Sequence, residues 1–412
     1  MTTLSRLLKK NVFQRFPSGI WLMMGLDIFI NISFSVAMPF LALYLHNERA
    51  LPMTVVGTLF LVGGLCTGAT NLIGGMLSDR FGRRRLLLTV SSISIFTYTA
   101  LALLIGMSAP LWLIAIVYIA ARGINGTINP TISAIVADLS PKGRLAESYA
   151  VVRVGANVGF AIGPAVGGYL MAFLSYGWLL SISALAALMV TALTYFFIRE
   201  SFVGSKERVD LRSTLAVGRD RPFLIFIIFS ILLMLSMAHL GSTLSVFTVD
   251  KLGFSTAQYG LLLTANGILV VLFQYPVTHL VSKLSNANGL ILGSLLYVIG
   301  YSTLGWITSF DWAMLTIVLV TAGEVVFSPI SSVVVAESAP PDKRGRYMGF
   351  FALSQTLGHS ISPLFGGVLL DVFPTEPRLL WGIIGSVGLV AAIGFHAWGK
   401  MTGKKTDIDH LT

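Results

Sequence analysis

The sequence predicts an all-α polytopic membrane protein with twelve transmembrane helices in two pseudo-symmetric six-helix bundles. Three observations predict it: a charge-poor, apolar composition, twelve apolar runs of spanning length, and an internal repeat. Hydrophobic residues make up 55% of the 412 and mean hydropathy is +0.82. Only 11% are charged, where a soluble chain carries about a quarter. A helix needs about 20 apolar residues to cross a ~30 Å hydrocarbon slab. Such runs fall at 18–45, 54–77, 86–107, 111–137, 148–173 and 177–198, then at 222–249, 257–281, 288–308, 312–337, 346–370 and 378–399.

The net charge of +10 could suggest nucleic acid, but its distribution points to topology. Of 28 Lys and Arg, 23 fall before span 1, after the even-numbered spans or at the C-terminus. Three (Arg49, Lys251, Arg378) lie on the other side, and Arg122 and Arg153 lie within spans. That asymmetry is the positive-inside rule and places both termini in the cytoplasm, as in a bacterial plasma membrane. Span 1 is too long, and too polar at Asp27 and Asn31, for a cleaved signal peptide. The single Cys66 excludes an internal disulfide and reads as a packing residue.

The repeat is visible where "NPTISAIVADLSPKGR" from Asn129 is laid beside "SPISSVVVAESAPPDKR" from Ser328. Pro130 and Pro329 are 199 apart, as are Asp138 and Glu337, Pro141 and Pro340, Gly159 and Gly358, Pro164 and Pro363, Gly167 and Gly366, and Gly168 and Gly367. The expected organisation is a cytoplasmic N-terminus (1–17), bundles at 18–198 and 222–399, a charged linker at 199–221 and a tail at 400–412. Parallel repeats of this kind place a site at the bilayer midplane between the bundles.

Between spans 2 and 3, "GGMLSDRFGRRRLLL" (74–88) packs Asp79, Arg80, Arg83, Arg84 and Arg85 into seven residues. Its Gly75-x-x-x-Asp79-Arg80-x-Gly82-Arg83-Arg84 pattern resembles the signature of the major facilitator superfamily. Arg122, Asn125 and Gly126 in span 4 resemble a second motif of that family. Gly159-x-x-x-Gly163-Pro164-x-x-Gly167-Gly168 in span 5 resembles the motif of its drug:proton antiporters. The resemblance covers essentially the whole chain, although the second copy of the loop (274–285) keeps little beyond Lys283.

The resemblance implies a gate at the cytoplasmic face, in which Gly75, Asp79, Arg80, Gly82, Arg83 and Asp138 hold the bundles together when the protein opens outward. Arg84 and Arg85 are expected to fix topology alone. Gly75 is expected to permit close helix approach and Gly82 a tight turn. Gly159, Gly163, Pro164, Gly167 and Gly168 are expected to form the seam between bundles.

Among 18 acidic residues, only Asp27 and Glu324 fall well inside spans. Intramembrane acids are costly and default to functional candidates. Asp27, Asn31 and Ser35 share one helix face, and Glu324 matches Asn125 at the 199 offset. The family lines its cavity with spans 1, 4, 7 and 10, so Asp27, Asn31, Arg122, Asn125, His239 and Glu324 are the candidates for substrate binding and proton coupling. Arg153 is expected to snorkel to the surface, and His279 and His359 to be structural.

No Walker loop, catalytic triad or metal-ligand spacing is present in the sequence, so neither an enzyme, a metal site nor an ATP-driven pump is expected. The expectation is a secondary transporter, monomeric in the bilayer, that exports small amphipathic compounds, cationic ones among them. It would need no cofactor and would draw on the proton gradient. The alternatives are an exporter or facilitator of a lipid, sugar or peptide-like solute, or a non-transporting sensor. A sensor would need a sizeable soluble appendage, which 1–17 and 400–412 are too short to supply.

Overall fold

A computed structural model describes residues 16–141, 143–200, 216–340 and 343–409. Most of the N-terminal segment (1–15), the centre of the linker (201–215) and the last three residues (410–412) lie outside the described residues. The expected fold class is the one found: all secondary structure among the described residues is helical, in twelve spans.

Ten spans are long and apolar enough to cross a membrane; the seventh and the eleventh are the exceptions. Span 7 is interrupted, and span 11 (Arg344–Val372) carries a polar run of Gln355, Thr356, His359 and Ser360 that lines a cavity. A helix facing an aqueous cavity can carry polar groups that a lipid-facing helix cannot.

Spans 1 and 7 break at corresponding points. Span 1 runs helical over Ser18–Ser35, tightens to a 3-10 turn at Met38–Phe40, and ends in a π-turn at Tyr44–Glu48. Pro39 withholds an N–H at that break. Span 7 is helical over Arg221–Met237, turns through 238–242, resumes at Thr243–Val246 and ends in a π-turn at Phe247–Lys251. Span 4 divides into Leu111–Asn125 and Ile128–Leu139, because Pro130 clashes with the carbonyl one turn earlier.

Spans 2 (Met53–Phe81) and 3 (Arg83–Gly106) are joined by Gly82 alone. The expected loop is thus two helix ends and a single turn residue, whose φ of 92° only glycine adopts readily. Span 5 is Leu145–Leu170 and span 6 is Tyr176–Phe197. Spans 8, 9 and 10 are Thr256–Val281, Asn286–Leu304 and Phe310–Ser338. The last helix, Pro377–Asp409, continues well into the segment expected to be a tail.

With an even number of spans, both chain ends lie on one face, here called the terminal face. The bundles meet along two seams in the opposite half. In one, Gly57 of span 2 faces Pro363 and Leu364 of span 11, Gly64 faces Ser360 and Gly68 faces Thr356. In the other, Gly260 of span 8 faces Pro164 of span 5, Gly267 faces Ala161, and Thr256 and Thr264 donate to the carbonyls of Gly168 (2.9 Å) and Ala161 (2.8 Å). The seams repeat one another: Gly57 and Gly64 correspond to Gly260 and Gly267 at an offset of 203, while Pro363 and Ser360 correspond to Pro164 and Ala161 at 199. The shorter span 9 accounts for the change of offset.

Candidate functional site

A cavity of about 660 Å³ lies between the bundles and is lined by spans 1, 2, 4, 5 and 7 to 11. Seams in the opposite half close one end. Toward the terminal face the bundles part: a Cβ at Gly75 or at Gly345 would meet nothing within 4 Å. The exception is Arg153, expected to snorkel, whose Nη2 reaches the Ser328 hydroxyl of the other bundle at 3.5 Å.

A basic and an acidic side chain line this cavity, one from each bundle. Arg122 comes from span 4, whose helix is fixed there by the Thr67 hydroxyl donating to the Arg122 carbonyl at 3.0 Å. Its guanidinium lies 5.1 Å from the Phe34 ring centroid in a cation–π contact. Glu324 comes from span 10, and Asn266 of span 8 donates to its Oε2 at 3.1 Å and to the Thr321 hydroxyl at 2.9 Å. The Tyr297 hydroxyl of span 9, on the same wall, is buried with no hydrogen-bond partner among the described residues. His359, expected to be structural, also lines the cavity, with Nδ1 2.9 Å from the Gln355 carbonyl.

Other candidates are placed elsewhere. Asn125 borders an adjoining chamber of about 340 Å³ inside the first bundle, which shares Phe34, Thr67, Asn71, Arg122, Asn129 and Phe160 with the central cavity; there it accepts from Ser94 at 2.6 Å. Asn31 borders the same chamber. Asp27, only 8% exposed, does not line the central cavity; its partner is Asn31, which donates to its carbonyl (2.8 Å) and its Oδ1 (3.3 Å). His239 is fully buried in the second bundle among Tyr301, Phe365 and Trp381, with Nδ1 3.0 Å from the Thr243 hydroxyl, and does not reach the cavity either. Its turn of span 7 does line the cavity, but the ring points away into the aromatic core.

Most of the glycine stripe of span 5 is also not where the sequence suggested. Gly159 faces Ile28 and Asn31, Gly163 faces Ser35, and Gly167 faces Val36 and Phe40. All of these belong to span 1 of the same bundle. The polar stripe of span 1 and the glycine stripe of span 5 are two sides of one contact, tied by Ser35 donating to the Gly159 carbonyl at 3.2 Å. Only Pro164 and Gly168 touch the other bundle.

At the terminal face, Arg83 gathers the expected acids. It pairs with Asp138 of span 4, lies 3.6 Å from Asp79, and donates to the Ala134 carbonyl at 2.7 Å. All four residues lie in the first bundle, so with this face open the cluster joins spans within a bundle rather than joining bundles. Gly75 has no close neighbour, and Arg80 sits exposed over Phe81, 5.4 Å from its ring centroid. The carboxylate at a helix N-terminus is Glu200, which accepts from the Arg83 and Arg84 N–H groups at 2.9 and 3.3 Å. The degraded second copy keeps the tie with an uncharged donor in place of the arginine. Asn286, which stands where Arg83 does, donates to Glu337 at 2.6 Å.

The ties between bundles at the opposite face were not read from the sequence. Asp371, at the end of span 11, accepts from the N–H groups of Met53 (3.0 Å) and Thr54 (2.7 Å) and from the Thr54 hydroxyl (2.7 Å). The N-cap of span 2 is Pro52, which provides no side-chain cap, so the other bundle supplies the acceptor that a helix start requires. Asp250 of span 7 accepts from Asn47 at 2.7 Å and lies 4.0 Å from His46 of span 1. The available signal was an acid next to a span end on the charge-poor side.

A broken-helix, two-bundle fold around a midplane cavity defines a secondary-transporter architecture. The family model of the Major Facilitator Superfamily matches residues 20–255 and 226–407, and the chain belongs to that family. The uncharacterized MFS-type transporter YttB of Bacillus subtilis is 28% identical over 86% of this chain and 89% of its own. The Na(+), Li(+), K(+)/H(+) antiporter of Planococcus maritimus is 25% identical over 82% and 86%. The multidrug resistance protein MdtH of Yersinia pestis is 23% identical over 90% and 92%. Among solved structures, nucleoside transporter NupG superposes with a TM-score of 0.80 at 15% identity, over 93% of this chain and 100% of that one.

Proposed function

We propose that the protein is a proton-coupled exporter of small amphipathic compounds, cationic ones among them, acting as a monomer in a bacterial plasma membrane with its terminal face cytoplasmic. The observation that carries this reading is a carboxylate, Glu324, in the wall of a cavity that is closed toward one face and open toward the other. A cation entering from the cytoplasm would pair with the Glu324 carboxylate. Once the cavity opens outward, a proton from the outside medium would bind the same oxygens and release the cation. One site then serves both ions by turns, which is what exchange requires. Two relatives named as a multidrug resistance protein and as a cation/H(+) antiporter support the class, and the basic residues on the terminal face support the orientation.

The test is transport in proteoliposomes under an imposed pH gradient, with a panel of aromatic cations and neutral analogues. Wild type should accumulate a cation against its gradient, and Glu324→Gln should retain at most downhill flux. Accumulation that survives collapse of the pH gradient would remove the exchange mechanism, and downhill flux alone in wild type would favour a facilitator.

A further inference from the structure

Arg122 poses a problem that Glu324 does not. A guanidinium carries five N–H donors and cannot shed its proton, and a charged side chain at membrane depth is costly unless paired. Among the described residues, the Arg122 side chain forms no ion pair and no hydrogen bond; its one polar compensation is the Phe34 ring face, 5.1 Å away. Glu324, on the facing bundle, has one oxygen engaged by Asn266, and Arg153 of span 5, which reaches Ser328 one turn further along span 10, lies within electrostatic range of it. Between them the cavity offers aromatic walls, Phe34, Phe60, Tyr118 and Phe160 on the Arg122 side and Tyr297 on the Glu324 side. Its volume of about 660 Å³ suits a drug-sized molecule.

We propose that the transported compound is a zwitterion whose anionic group docks on Arg122 and whose protonated amine docks on Glu324, with an apolar body between. The planar guanidinium fork matches a carboxylate in a two-pronged fit. Each bundle thus supplies one docking charge, with Arg153 of the first bundle standing beside the Glu324 end, and a bridging solute draws the bundles together over itself. This rests on the proposed transport reading for the use of the cavity, but it concerns which compounds fit there. A compound with the amine alone leaves the guanidinium unpaired, so binding selects for the second charge.

The test is calorimetric binding to the purified full chain in lipid nanodiscs. The probes are rigid aromatic amino acids of increasing length, 4-(aminomethyl)benzoic acid and its biphenyl homologue, each compared with its carboxamide and its N-acetyl derivative. At the fitting length, the zwitterion should bind about tenfold or more tighter than either single-charge analogue, as hydrogen bonds to a charged group allow. Arg122→Gln should bring the zwitterion and its carboxamide to equal affinity, so that the ratio between them falls to about one. Glu324→Gln should do the same with respect to the N-acetyl compound, and Arg122→Lys should keep part of the carboxylate preference.

The proposal is overturned if no length, including one that fails to bind, favours the zwitterion. It is also overturned if Arg122→Gln weakens all three compounds alike, as it would if Arg122 only paired with Glu324 in a closed state. Loss of pH-driven accumulation with the zwitterion preference intact would defeat proton exchange and leave this inference standing.

Discussion

At the scale of single residues, the two intramembrane acids separate. Both Asp27 and Glu324 were legible as candidates, because a carboxylate in an apolar span stands out in any sequence. Their phase around the helix was not legible, since a polar stripe such as Asp27, Asn31 and Ser35 fits a contact with a neighbouring helix as well as a cavity wall, and here it faces span 5. Glu324 lines the cavity, and Asp27 turns into the first bundle with Asn31 as its partner. Asp27→Asn should therefore leave pH-driven export largely intact while Glu324→Gln removes it, measured in the same vesicles. Equal loss in both variants would return Asp27 to the coupling pathway. Asn266 and Tyr297 escaped notice for a simpler reason: as neutral residues, only their proximity to Glu324 marks them.

At the scale of elements, the glycines divide by what they face. Gly57 meets the backbone of span 11 across the seam, where a Cβ would lie 2.5 Å from the Pro363 carbonyl oxygen. Gly163 meets Ser35 inside its own bundle. Gly57→Ala should oppose closure of the opposite face and shift the protein toward the outward-open form, with little change in thermal stability. Gly163→Ala should lower the unfolding temperature instead. Spin-label distances across the opposite face, read with thermal melts, check both; the reverse assignment would mean that the seam has been misplaced.

The motif in span 5 was readable as a glycine stripe, but a stripe shows only that some helix comes close. Asp371 makes a second test at this scale. A carboxylate at an exposed helix N-terminus is worth about 0.3–1 kcal/mol, so Asp371→Asn should raise the outward-open population by up to about fivefold. No change in that population would leave the Asp371 contact a passive one.

At the scale of the whole molecule, the two faces are held by different means. At the opposite face, the seams are glycine contacts reinforced by Asp371 and Asp250. At the terminal face, the one ion pair of Asp79 among the described residues is with Arg83, and no described side chain caps the N-terminus of span 11. Closing that face would bring a helix start in need of an acceptor toward an acid with capacity to spare. Asp79→Asn should then enlarge the inward-open population and slow turnover without weakening substrate binding, as measured by distances across the terminal face and by equilibrium binding. Twelve spans, two bundles and their repeat were all legible, because the bilayer forces apolar length and the halves still share their prolines and glycines. Which face is open was not legible, because a sequence that serves both states must encode both sets of contacts.

One contact has a geometric consequence. Asn47 and Asp250, hydrogen-bonded across the bundles at 2.7 Å, are 203 positions apart, the same offset that relates Gly57 to Gly260. They are the same position in the two copies, and two equivalent points can touch only where they straddle the axis around which the copies are arranged. The pair therefore stands beside that axis at the opposite face. A path along that axis opens only when these two side chains part. One distance, followed in time, would report when that face opens.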